Sequence, residues 1–365
     1  MKFATEFRDS ALAKKLLDDI RRKSTKPANI MEFCGGHTVA IFRYGLRDLL
    51  PKHLKLLSGP GCPVCVTSTA DLDKVMALAK IPGVIITTFG DLIKVPASYG
   101  SLDRARAAGA DVRTVYSTLD ALDIARKNPD KKVVFVGIGF ETTAPTVAAA
   151  ILQAETEKLK NFFVLSLHKV TPPVTKVLLD AGEVKIQGII APGHVSAIIG
   201  ADAWNFIPDR YGIACAVSGF EPLDILYCVD LIVDQIESGN PKVETAYSRA
   251  VKGEGNRIAL AIMDKVFEPA AANWRGVGVI PGSGLVIRPE FAAYNAEREI
   301  DIKLDKPPRE PAGCLCGEVI RAVKTPEQCK LFRKVCTPEN PIGPCMVSSE
   351  GSCAAYYHFA EAIES

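Results

Sequence analysis

No run of apolar residues in this 365-residue chain is long enough to cross a bilayer, since segments such as 84–89 and 133–138 are only strand-sized. The N-terminus also lacks the uninterrupted apolar stretch of a signal peptide. Instead, MKFATEFRDSALAKKLLDDIRRKSTKP sets Phe3, Phe7, Leu12, Leu16 and Ile20 at helical spacing among charges, which predicts a helix docked on the body over residues 1–28. These absences predict a cytoplasmic protein with no membrane partner. Charge of one sign is missing too: Lys and Arg number 44 against 42 for Asp and Glu, with no basic stripe, which argues against nucleic acid as a partner. Neither Gly-x-x-x-x-Gly-Lys-Ser/Thr nor Gly-x-Ser-x-Gly occurs, so nucleotide-triphosphatase and serine-hydrolase chemistry have no local basis. No apolar stripe is left unexplained, and the expected state is a monomer that forms transient hetero-complexes.

What is present is the composition of a compact fold, with 48% hydrophobic and 24% charged residues. The length predicts two or three domains. Between residues 29 and 211 short β-rich runs alternate with helical segments, the pattern of parallel sheets covered by helices. Strands are predicted at 30–33, 54–57, 84–88, 112–115, 133–136, 162–167, 186–190 and 211–213. So many strands crowd one open sheet, and the α/β class therefore resolves into two consecutive doubly wound domains, 29–129 and 130–287, parted at the Asn128-Pro129-Asp130 turn. A faint echo favours duplication: Leu56-Leu57-Ser58-Gly59-Pro60-Gly61-Cys62 and Ile189-Ile190-Ala191-Pro192-Gly193-His194 each run from a strand into a Pro-Gly turn. Helices are predicted over 222–237 and 243–266, and a hairpin over 276–287 around Pro281-Gly282-Ser283-Gly284. From Arg288 onward the periodicity fades while Pro, Gly and Cys become dense. This predicts a small irregular third domain, 288–365, held by sulfur chemistry and not by an ordinary apolar core.

Eleven cysteines in a protein of a reducing compartment point to metal or redox chemistry before a disulfide framework. Six lie in the tail as Cys314-x-Cys316-x12-Cys329-x6-Cys336-x8-Cys345-x7-Cys353, among glycines and prolines that fix turns and aim several sulfurs at one point. Thiolates bind zinc or iron-sulfur clusters, and either takes four ligands. No Cys-x2–4-Cys knuckle of a structural zinc site occurs in the tail, so the spacing leans towards a [4Fe-4S] cluster, with zinc as the rival. Two thiols are left over and form a candidate dithiol/disulfide couple beside the cofactor, although spacing alone does not say which two.

A second group lies early. Met31-Glu32-Phe33-Cys34-Gly35-Gly36-His37-Thr38 places a thiol and an imidazole at the end of a strand, where open α/β sheets have their binding crevice. Cys34 and His37 suit one Fe(II) with open positions, and helix N-terminal amides are expected to lower the thiol pKa. Ser58-Gly59-Pro60-Gly61-Cys62-Pro63-Val64-Cys65 carries the redox spacing Cys-x-x-Cys at the next strand's end. If those two strands are neighbours, Cys34, His37, Cys62 and Cys65 converge on one cleft. The blander readings are a turn with a buried cysteine, a zinc half-site, or inert core thiols.

Other signals are weaker. Gly137-Ile138-Gly139-Phe140-Glu141-Thr142-Thr143 lacks the third glycine of a dinucleotide loop and reads as a helix start capped by Thr142 or Thr143, with Glu141 able to face a cleft. His168 and His194 follow strands and could line the same crevice, while Cys215 and Cys228 read as packing residues.

Four segments taken together resemble the HypD family of hydrogenase maturation proteins over nearly the whole chain: Glu32-Phe33-Cys34-Gly35-Gly36-His37-Thr38, Gly59-Pro60-Gly61-Cys62-Pro63-Val64-Cys65, Gly139-Phe140-Glu141-Thr142-Thr143 and Pro344-Cys345-Met346-Val347-Ser348-Ser349-Glu350-Gly351. The resemblance implies two similar α/β domains and a third holding a [4Fe-4S] cluster on Cys314, Cys329, Cys336 and Cys353, with Cys316 and Cys345 as the redox pair. It further implies a maturation scaffold, distinct from a conventional turnover enzyme, that builds the Fe(CN)2CO unit of [NiFe] hydrogenases. A small chaperone, HypC, would hold the transient iron together with Cys34, with His37 adjacent; HypE would deliver cyanide, and CO would complete the unit. Cys62 and Cys65 are expected to pass electrons from the cluster. The rival functions are a cluster-dependent thiol/disulfide oxidoreductase and a zinc-stapled interaction module.

Overall fold

The computed structural model describes residues 6–360. In chain order the strands are β1 (Ala28–Glu32), β2 (Leu54–Ser58), β3 (Val84–Thr88), β4 (Asp111–Thr114), β5 (Lys132–Gly137), β6 (Phe162–Ser166), β7 (Gly188–Pro192), β8 (Ala214–Ser218), β9 (Val243–Thr245), β10 (Phe267–Trp274) and β11 (Gly278–Ile287). One parallel sheet has the order β2-β1-β7-β8-β9, a second parallel sheet has β4-β3-β5-β6, and β10 and β11 form an antiparallel hairpin. The α/β class therefore holds. Strands such as β3, β7 and β8 are buried along their whole length, because helices cover both faces of a parallel sheet.

The two expected consecutive domains are not how the strands pair. A cut at residues 129/130 falls inside the second sheet, with β3 and β4 before it and β5 and β6 after it, while the first sheet is completed only when the chain returns at β7. Ile30 of β1 aligns with Leu56 on one side and with Gly188 on the other. A side chain at Gly188 would strike Ile232 of the covering helix Pro222–Ser238, so this glycine lets helix and sheet approach. The two echo segments lie in one sheet, on either side of β1, and do not mark duplicated domains. Strands that are apolar on both faces carry no sequence mark of their partners.

Smaller differences have local causes. The segment 211–213 closes the helix Phe206–Tyr211 and leads into β8. The predicted helix over 243–266 divides into β9 and the helix Arg257–Val266, with Gly255 between them at φ +72°, packed against Gly200. The hairpin turns at residues 275–277, and Pro281 to Gly284 lie within β11.

The N-terminal helix Ser10–Lys23 packs through Leu17 and Ile20, whereas Leu12 of the expected stripe is exposed, and Lys23 reaches Asp230 and Asp234 at 2.9 Å on the helix Pro222–Ser238. Phe3 of the expected stripe lies outside the described residues. The tail does not separate at Arg288, because Phe291, Ala296 and Ile300 are buried in the cores beneath the two sheets. It also has an apolar core of its own, in which Phe332, Met346, Ala355 and Tyr356 pack with Phe42 of the helix Gly35–Arg43. Sulfur is thus not its sole support. Among the described residues no helix is long and apolar enough to cross a membrane.

Candidate functional site

The first sheet reverses direction at β1: the chain moves outward to β2 and later re-enters on the opposite side at β7. That arrangement makes the carboxyl ends of β1 and β7 a topological switch point, the place of the binding crevice in open α/β sheets. Cys34 follows β1, the Gly59–Cys62 turn follows β2, Gly193 and His194 follow β7, and Gly219 and Phe220 follow β8.

Backbone contacts lock the first two loops together. Gly59 N–H donates to the Glu32 carbonyl at 2.8 Å, and Gly35 N–H to the Gly61 carbonyl at 3.1 Å. Gly61 lies against the Cys34 backbone with no room for a side chain. The buried Glu32 carboxylate accepts from Cys34 N–H at 2.8 Å and from the Thr38 hydroxyl, which ties the strand end to the first turn of the helix Gly35–Arg43. Burial pushes the Glu32 pKa up to about 7.

The expected lowering of the Cys34 pKa does not occur. Burial, reinforced by the carboxylates of Glu350 and Glu32, pushes it up to about 12, although the Gly36 and His37 amides pull the other way. Helix amides that face a hemmed-in thiol between two acids are outweighed, so the metal-free residue is a thiol.

His37 is fully buried, and burial lowers its pKa to about 4. Its Nε2 lies 3.2 Å from the Ser218 carbonyl oxygen and 2.9 Å from that of Gly219. Both partners are acceptors, which assigns the ring proton to Nε2 and leaves the lone pair on Nδ1, an atom with no hydrogen-bond partner among the described residues. Phe220 stacks on His37 at 4.7 Å and on the exposed His194 at 3.9 Å, so His194 borders the crevice.

Cys62 and Cys65 are joined as a disulfide across the turn Pro63–Val66, with a Cα–Cα distance of 5.2 Å, and both are buried. Cys65 Sγ lies 4.0 Å from the Pro344 carbonyl, beside Cys345. Cys345 Sγ is 2.7 Å from Cys316 Sγ. A second link runs through Gly35, which abuts Glu350, and Gly351, which abuts the Cys345 backbone. The loops after β1 and β2 therefore meet the tail directly.

All six tail cysteines line one small pocket whose walls include Val319, Phe332 and Met346. Gly343 lets the chain approach Cys314 closely, since a Cβ there would sit 2.7 Å from its sulfur. Contacts with Cys314 and Cys345, helped by the buried Arg275 guanidinium, hold the Cys316 thiol well below its ordinary value, and contact with Cys316 pushes Cys314 and Cys345 up. Among the described residues no three His, Cys, Asp or Glu side chains surround a single ion position.

Several contributors carry no signature of their own in the sequence: Glu32, Glu350, Arg275 and the Ser218 and Gly219 carbonyls. Glu32 and Glu350 each lie inside a family motif, and that is their one sequence signal. Glu141 is buried and does not face a cleft, because its Oε1 caps the helix Thr171–Ala181 by accepting from Thr171 N–H at 2.7 Å. Thr143 is the N-cap residue of the helix Ala144–Glu157, within the expected pair, but its hydroxyl donates to the Phe140 carbonyl and makes no capping bond to the helix amides. His168 is buried at the second sheet, 3.1 Å from the Ser166 hydroxyl, and Cys215 and Cys228 are fully buried in the first sheet's cores.

The fold and the site define an α/β protein whose switch-point loops pack directly against a cysteine-lined tail. Residues 11–360 match the family model HypD, described as the hydrogenase formation hypA family. The hydrogenase maturation factor HypD of Rhodobacter capsulatus is 47% identical over 99% of both chains. The HypD factors of Cupriavidus necator and Azotobacter vinelandii are 45% and 46% identical, each over 98% of this chain and 97% of their own. The chain belongs to the HypD family of hydrogenase maturation factors.

Proposed function

We propose that the chain is the scaffold on which, together with the chaperone HypC, an iron ion receives cyanide from HypE and CO to become the Fe(CN)2CO unit of [NiFe] hydrogenases. The observation that carries this reading is the unbroken run of contacts from Cys34 through Gly61, Cys62–Cys65 and Pro344 to the Cys345/Cys316 pair. The iron is cargo. Cys34 would bind it as a thiolate, releasing the proton it holds when metal-free, and His37 would contribute its unpaired Nδ1.

A [4Fe-4S] cluster in the tail is supported by six thiols gathered around one pocket among apolar walls. Cys314, Cys329, Cys336 and Cys353 would hold the group, which when bound supplies single electrons at low potential. That leaves Cys316 and Cys345, the two whose sulfurs nearly touch, as the dithiol. Exchange with the Cys62–Cys65 disulfide would break one S–S bond and form another, moving two electrons and two protons towards Cys34.

The test is anaerobic purification with iron and sulfide analysis. About four of each per chain and a brown chromophore are expected, and Cys34→Ala is expected to abolish the extra iron carried with HypC. A colourless zinc protein would favour the zinc-stapled module, and a Cys34→Ala chain that still carries the cargo would remove the scaffold reading.

A further inference from the structure

An open groove lies between the loop 94–104, which follows β3, and two tail segments, 309–312 and 339–342. Its far wall is one backbone strap thick. Ile342 lines the groove and also donates its backbone N–H to Cys336 Sγ at 3.4 Å, and the next residue, Gly343, abuts Cys314 Sγ. The groove is therefore separated from the cysteine-lined pocket by a single stretch of chain.

Its rim is cationic. Lys94, Arg104 and Arg309 are exposed, and none has a carboxylate partner among the described residues. Of the acids on the same rim, Glu310 is taken by Arg275, and Asp103 is paired with Arg106 at 2.8 Å. Glu339 alone remains to oppose the three cations. Tyr99, 54% exposed, lines the same groove, with the Lys306 ammonium over its ring at 5.1 Å. Three unpaired cations and an exposed aromatic ring lining one groove are complementary to an acidic surface patch, and such complementarity steers encounter more than it adds affinity.

We propose that this groove is the docking site of a small acidic one-electron carrier protein, which reduces the chain through the Pro341–Gly343 strap. The inference rests on the cluster assignment above. The carrier gives one electron and is left oxidised by one; no bond is made or broken and no proton moves. Two such transfers, with two protons from solvent, reduce one disulfide to two thiols.

The experiment titrates the anaerobically purified chain with a plant-type [2Fe-2S] ferredoxin as the acidic probe, by isothermal titration calorimetry at low and raised salt. Binding is expected at low salt and is expected to weaken steeply as salt rises. Reversing Lys94→Glu, Arg104→Glu and Arg309→Glu together is expected to weaken it at least tenfold. The same reversal at Lys14 and Lys15, exposed on the N-terminal helix, is expected to leave it unchanged. Iron and sulfide content, and reduction by dithionite, are expected to be the same in all three proteins. Full-affinity binding by the triple variant, or no salt-sensitive binding by an intact iron-loaded chain, would overturn the docking site and leave the cluster assignment standing. A chain without iron and sulfide before any carrier is added overturns both.

Discussion

Gly35, the first residue of the helix Gly35–Arg43, lies directly against the backbone carbonyl and Cβ of Glu350, so a tail residue fills the space that a side chain at residue 35 would need. Gly35→Ala is expected to push the 344–351 segment away from the crevice and to cost about 1–3 kcal/mol, as overpacking at rigid contacts does. Thermal denaturation measures the loss, and alkylation of Cys345, buried in the wild type, reports the displacement. An unchanged melting temperature with Cys345 still protected would mean that the contact does not tie the tail to the site.

The Ser218 and Gly219 carbonyls set which nitrogen of His37 is free. His37→Gln keeps a donor for those carbonyls but removes the Nδ1 lone pair, and in the presence of HypC it is expected to weaken binding of Co(II), a spectroscopic stand-in for Fe(II), at least tenfold. The optical titration would refute a ligand role for His37 by giving the wild-type affinity.

Serine substitutions in the tail divide into two classes. At Cys314, Cys329, Cys336 or Cys353 the bound iron and the visible absorption are expected to fall sharply. At Cys316 or Cys345, whose sulfurs lie 2.7 Å apart, iron is expected to stay while reduction of the Cys62–Cys65 disulfide stops. Iron loss from the second class with retention in the first would reverse the assignment.

Two buried carboxyls and two buried imidazoles tilt stability in opposite directions. Glu32 and Glu141 are raised to about 7 from an ordinary 4.5, so the folded state holds more protons between those values. Their contribution is complete below about 4.5 and is lost as pH rises through 7. His37 and His168 are lowered to about 4 and about 3 from 6.5, so theirs is complete above 6.5 and is lost as pH falls through 4. Glu141→Gln keeps an acceptor for Thr171 and removes one acidic titration. Relative to wild type it is expected to gain up to about 3 kcal/mol on going from pH 4.5 to pH 8. Denaturant titrations at the two pH values check this, and an equal difference at both would show that Glu141 does not titrate in the fold.

The sequence by itself determined the class of fold, most of the strands and the candidate residues for the proposed chemistry. Parallel strands are written as apolar runs, and thiols and imidazoles on glycine-rich turns are recognisable wherever they fall. Tertiary structure alone decided that β7 to β9 complete the sheet begun by β1 and β2, and that Glu350 crosses over Gly35. It also decided that Cys34 is a protonated thiol between two acids, and that Cys316 and Cys345 meet. These outcomes depend on pairings between distant segments and on burial, and the sum of desolvation and neighbouring charge at a residue exists only once the chain has closed around it.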